Sequence, residues 1–191
     1  MISKSAISCL LLAFILLFSV PANAQTATGD VRNFVWGVSK ADVRQFEKDA
    51  MFFEELNDEE QGEALFYLGY VSDIRTLITY AFNEGRLWRV EQQFQFKSPD
   101  PQAALDQMFA FQKEIEAING PPAKSDFIWN NEEYKDYPNR WGLAVLRGHL
   151  TIRLTWKTPR SDITLSLKAR EFEYDFRLIH AQVGMTARQP G

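Results

Sequence analysis

The sequence predicts an α+β fold, a mostly antiparallel sheet with helices packed on one face. Three observations carry that prediction. Apolar and polar side chains alternate over residues 74–82, 88–96, 150–156 and 163–167, the two-residue period of a half-buried strand. Two other stretches, one around Val43 and one from Pro101 to Ile118, space apolar residues by three and four, as one face of a helix requires. The order is helix then strands, and again helix then strands, which leaves room for two tandem α-then-β units over residues 34–97 and 98–183. A single antiparallel sheet with helices on its apolar face buries both patterns.

Ahead of this pattern lies a different kind of segment. Lys4 is the only charge before an apolar run at residues 10–20, which Pro21 ends and Ala22-Asn23-Ala24 follows. A charged start, a short apolar run and small residues before Gln25 form a secretion signal. The run falls short of the roughly 18 apolar residues that cross a bilayer. Residues 1–24 are therefore expected to be removed, leaving a soluble periplasmic or secreted chain with no membrane span. Cys9 is the only cysteine and leaves with the signal, so neither a disulfide nor a thiolate metal site is expected in the mature chain.

Residues 25–33 are small and polar and read as a flexible lead to a single domain at 34–183. Ser39 caps the first helix, with Asp42 three residues on, and Val43, Phe46, Ala50 and Phe53 form its stripe. The acidic stretch 54–63 reads as a solvated helix end or loop. From Leu65 a continuous apolar run leads into the first alternating strand, and Asn83-Glu84-Gly85-Arg86 turns it into the second. Asp100 caps the second helix and Pro101 fits its first turn. Its stripe is Ala104, Met108, Phe111, Ile115 and Ile118, and Asn119-Gly120-Pro121-Pro122 stops it. Residues 127–129 read as a short strand, 130–142 as a polar and aromatic loop, and 150–178 as a meander. Residues 184–191 read as a frayed tail.

Three of these pieces resemble a known pattern. Gly37-Val38-Ser39-Lys40-Ala41-Asp42-Val43 is similar to the helix start of the small outer-membrane lipoproteins of the β-barrel assembly machinery and of β-lactamase-inhibitor-protein-like repeats. Tyr80 to Leu87 resembles the strand, polar-Gly turn and strand that follow it there. Asn119-Gly120-Pro121-Pro122, with Trp129 after it, looks like their step from helix to sheet. The resemblance implies a helix-over-sheet adaptor that binds other envelope proteins, although no lipid-acceptor cysteine follows the signal here.

Chemistry-bearing patterns narrow the function further. The net charge of −4 comes without a basic cluster, so nucleic acid is not an expected partner. The two histidines, His149 and His180, have no metal-ligand spacing, and no glycine-rich phosphate loop or nucleophile elbow occurs. No cofactor or metal is expected. The richest local candidate is 127–142, where Trp129, Tyr134, Tyr137, Arg140 and Trp141 stand among amides and carboxylates. Flat aromatic faces beside polar groups suit a sugar ring or a peptide. The expectation is a non-catalytic envelope binding or assembly module, with an envelope protein or glycan as partner. Two alternatives stay open: a hydrolase using Glu132, Glu133 or Asp136, and a carrier of a small apolar ligand.

Overall fold

The computed structural model describes residues 31–58 and 62–185. The expected signal at 1–24, the lead up to residue 30 and the tail beyond 185 lie outside the described residues.

The first helix, α1 (Lys40–Phe46), starts as the Ser39/Asp42 spacing requires. The Ser39 hydroxyl accepts from the Asp42 N–H, and the Asp42 carboxylate accepts from the Ser39 N–H at 2.9 Å. The Ser39 hydroxyl also donates to the Asp42 carboxylate at 2.7 Å, and this bond, with that from the Ser39 N–H, holds the Asp42 carboxyl below the usual carboxylate range. The helix ends far sooner than its sequence stripe suggests. Met51–Asp58 is a strand, β1, so Ala50 and Phe53 are not helical, and much of the acidic stretch 54–63 belongs to the sheet. A bulge between Phe52 and Glu54 breaks the two-residue period that would have revealed β1. Lys40 and Arg44 of α1 pair with Glu55, which answers the acidity of the strand.

The remaining elements are β2 (Gly62–Val71), β3 (Ile74–Asn83), β4 (Arg86–Phe94), α2 (Pro101–Asn119), β5 (Lys124–Trp129), α3 (Trp141–Leu146), β6 (Leu150–Lys157), β7 (Ser161–Arg170) and β8 (Glu173–Gln182). The eight strands of the described residues join one antiparallel sheet in the order β1-β2-β3-β4-β8-β7-β6-β5. The fold class is thus α+β with sheet predominating. Among the described residues, β1 and β5 are its edges.

Tight hairpins set the register. Ser72-Asp73, Glu84-Gly85 and Glu171-Phe172 each place two successive residues at positive φ, the geometry of a type I′ turn. Phe172, at φ 64, is an unusual occupant, because an L side chain with a Cβ is disfavoured there. Phe172 stands at the tip of the turn before β8, within the stretch 150–178 that reads as a meander.

Two apolar clusters form the core. Ala104, Leu105, Met108, Phe111 and Ile115 of α2 meet Phe94, Leu165 and Phe176 of the sheet, with the Phe94 and Phe111 rings stacked at 4.7 Å. The α2 stripe ends one turn early, and Ile118 is 81% exposed. The second cluster joins Val43 of α1 to Leu65, Ile78, Tyr80 and Val90, and takes in Val31, Phe34 and Trp36. Val31, within the segment read as a flexible lead, is thus part of the core. Val31 and Phe34 exchange backbone hydrogen bonds. Arg32 reaches Glu47 at 2.9 Å, and the Glu47 carboxylate also accepts from the Tyr80 hydroxyl. Burial raises the Tyr80 phenol far above its ordinary pKa, so it stays a donor to Glu47.

Candidate functional site

Among the described residues, β5 is an edge strand, paired on one side only, by β6. Phe127 and Trp129 alternate along it opposite Ile152 and Leu150, so both rings rise on the side of the strand that faces the apolar cluster. Trp141, the first residue of α3, closes on them. Its ring lies 5.7 Å from Phe127 and 5.7 Å edge-to-face from Trp129, and its indole N–H donates to the Lys135 carbonyl at 3.0 Å. Three aromatic rings thus form one corner at the free edge of the sheet.

The sequence left residues 130–142 as loop. The structure instead forms a 3₁₀ turn at Pro138–Arg140 and runs it into α3. No side chain caps α3, so nothing at its start marks it in the sequence. Contact with α2 settles it. The Gly142 N–H donates to the Gln102 side-chain carbonyl at 3.2 Å, and a Cβ on Gly142 would meet the Pro101 carbonyl at 2.4 Å.

Tyr134, one of the aromatics singled out by sequence, is 6% exposed. Its ring stacks on His149 at 5.8 Å, and Arg147 donates to its hydroxyl. The Glu133 carboxylate bonded to this phenol raises its pKa. Apolar burial and a cationic donor make Tyr134 the pin that holds the loop. Tyr137 is 55% exposed, with the Arg140 guanidinium 5.8 Å from its ring centroid. The five residues singled out by sequence therefore separate into a packed pair, Trp129 and Trp141, an exposed pair, Tyr137 and Arg140, and a buried pin.

The loop acids are placed apart in function. Glu132 pairs with Lys135 at 2.6 Å, while Glu133 lies 3.8 Å from both Arg147 and the His149 imidazole. All three acids, Asp136 included, are exposed. Among the described residues no group of His, Cys, Asp and Glu is arranged to hold a metal ion, and no helix is long and apolar enough to cross a membrane.

The second face of the sheet carries apolar residues at the edge far from the corner. Strand pairing puts Met51, Leu68 and Leu77 in one row across β1, β2 and β3, with the exposed Tyr70 two residues beyond Leu68 on β2. The centre of that face carries a charge ladder. Arg89 pairs with Glu91, Arg177 bridges Glu91 and Asp175, and Lys168 pairs with Asp175. These contacts raise the Arg177 pKa, the hydrogen bond to Asp175 most of all. Sequence reasoning missed Arg147 and His149, whose only signal was a Gly-His step at a turn. It also missed His180, which looks like an ordinary strand residue.

Comparison of the chain with protein-family models, with characterised proteins and with solved structures finds no match.

Proposed function

We propose that this chain is an exported, non-catalytic binding or assembly module of the cell envelope, which holds an envelope protein or glycan at the β5 edge. One observation carries the reading: Phe127, Trp129 and Trp141 pack into a single aromatic corner on a strand with one free side, with exposed Tyr137 and Arg140 next to it. Aromatic and arginine side chains are common anchors of protein interfaces, and a free strand edge can accept a further strand. The separate ion pairs of Glu132 and Glu133 give little support to the hydrolase alternative, which needs two carboxyls at a set separation across a substrate. The leading segment with its apolar run and Ala22-Asn23-Ala24 motivates the envelope location.

The fold reading that goes with this function has two parts. The chain is two α-then-four-strand units, and both long faces of α1 and α2 lie over the same side of the sheet. The element order, α1-β1-β2-β3-β4 then α2-β5-β6-β7-β8, supports the first part, as does a sheet in which β4 and β8, the last strands of each unit, are neighbours. Val90 and Phe94 support the second. They are four apart on β4, hence on one face, and belong to the clusters of α1 and α2 respectively.

The test uses the exposed pair, whose replacement should spare the fold. The mature chain and its Tyr137→Ala/Arg140→Glu variant are each offered to envelope protein extract and to purified cell-wall glycan. The expected result is a bound fraction on one of the two that the variant lowers by about tenfold, about 1.4 kcal/mol. Equal retention by both chains would refute the assignment of the corner.

A further inference from the structure

The two outer strands of the sheet differ in how they guard their open sides. β1 carries a bulge between Phe52 and Glu54 and two adjacent acids, Glu54 and Glu55. Bulges and charges are common guards of an edge against pairing with another strand. β5 has an unbroken register with β6, from Lys124 opposite Thr155 to Trp129 opposite Leu150, and contains no proline. Its two charges, Lys124 and Asp126, pair with each other at 2.8 Å.

One bond fixes which way each β5 residue directs its backbone. The Asn130 N–H donates to the His149 carbonyl at 2.7 Å, one step beyond the Trp129–Leu150 pair. Backbone groups alternate sides along an antiparallel strand. Lys124, Asp126 and Ile128 therefore direct theirs to β6, while Ser125, Phe127 and Trp129 direct theirs to the open side. Among the described residues nothing bonds the open-side groups of these three. Phe127 is 37% exposed on one face of the strand and Ile128 44% exposed on the other, so both faces offer apolar surface to a neighbouring strand.

Polar side chains beside the corner are by contrast engaged. The Asn130 side chain donates to the Gly148 carbonyl at 3.0 Å, the Asn131 side chain accepts from the Glu133 N–H at 2.9 Å, and Glu132 holds Lys135. The Trp141 indole N–H is held by the Lys135 carbonyl, and the Trp129 and Trp141 rings meet edge-to-face. A sugar ring needs an open aromatic face with free polar side chains around it. A peptide strand needs free backbone groups. The free groups along β5 are backbone.

We propose that the partner held at β5 is an extended polypeptide segment with apolar side chains at alternate positions. It adds to the sheet beside β5 by bonding the backbone of Ser125, Phe127 and Trp129, and its apolar side chains meet Phe127 and Trp129. This inference rests on the reading of the β5 edge as the partner site and narrows that partner from protein or glycan to protein.

An array of synthetic nonapeptides, threonine alternating with varied valine, isoleucine, leucine and phenylalanine, supplies the probe. Its strongest binder is titrated into the mature chain beside two copies, each N-methylated on one of the two sets of alternate amides. Both copies keep every side chain, and each loses the donors of one edge. The expected result is saturable binding of the unmethylated peptide, about tenfold weaker in one copy than in the other. Ser125→Pro removes an open-side N–H and leaves the bonds to β6 in place. It should keep the parent's unfolding midpoint and weaken the peptide about tenfold; if it does not fold, the methylated pair decides on the parent chain. Absence of a saturable peptide binder, two methylated copies of equal affinity, or a folded Ser125→Pro chain that binds like the parent would overturn the proposal. Chitohexaose bound where no peptide binds would overturn it too, and loss of that binding in Tyr137→Ala/Arg140→Glu would leave the corner as the partner site. Self-association of the mature chain that Ser125→Pro abolishes would assign the edge to a second copy and likewise overturn it.

Discussion

His180 shows what burial does to one titratable residue. Its imidazole has a lowered pKa of about 4 because desolvation penalises the charged form. In the unfolded chain it titrates near its usual value of about 6.5, so below that pH the unfolded state binds a proton that the folded state refuses. Stability is unaffected above about pH 6.5 and falls as pH drops toward 4, by up to about 3 kcal/mol from this residue. Denaturant unfolding at pH 7 and pH 4.5 should therefore show a loss that His180→Gln largely removes; an unchanged loss in that variant would assign it elsewhere. Glu47 makes the complementary case. It is buried while accepting from Arg32 and Tyr80, and Glu47→Ala leaves both donors without their acceptor. The expected penalty is about 2–4 kcal/mol, since removal of one partner strands the other in a poor solvent. A melting temperature within a degree of the parent would contradict that assignment.

At the scale of elements, two positions bear on how the pieces fit. Gly142 lets α3 touch the first turn of α2, where an added Cβ would stand 2.4 to 2.7 Å from backbone atoms of Pro101 and Gln102. Gly142→Ala should push the helices apart at about 1–3 kcal/mol, read as a lower unfolding midpoint with an altered Trp141 fluorescence. Phe172 makes the opposite prediction. It is 71% exposed at positive φ in a two-residue turn, so Phe172→Gly should be neutral or stabilising by about 1 kcal/mol. A clear destabilisation would mean that the ring makes a contact the turn depends on.

The same elements show why some of the fold was legible and some was not. The β3–β4 hairpin, α2 and the β6–β8 meander each state their period and their turn chemistry locally, and they are found where the alternation and the Asp100-Pro101 start put them. β1 does not, because its bulge interrupts the alternation and its acids are balanced by Lys40 and Arg44, which only the folded chain brings near. α3 is a six-residue helix without a side-chain cap, held by α2 across a long sequence separation. The candidate site follows the same rule. Trp129 and Trp141 were visible as aromatics, but their contact, and the inward turn of Tyr134 onto His149, depend on α3 and β6.

For the whole molecule, the proposed function requires both export of the chain and recognition at the aromatic edge of β5. Its first consequence is that the mature protein begins at Gln25, which N-terminal sequencing of the envelope-fraction protein reads directly; a retained Met1 would remove the basis for the envelope location. The central claim is that the β5 edge, and not the surface at large, meets the partner. The most direct measurement is photocrosslinking in intact cells from a photoreactive aromatic placed at Tyr137, beside the corner, and separately at Lys113, exposed on α2. The account expects a discrete adduct, of protein or glycan mass, from position 137 and none from 113. No adduct at 137, or the same adducts from both positions, would contradict it.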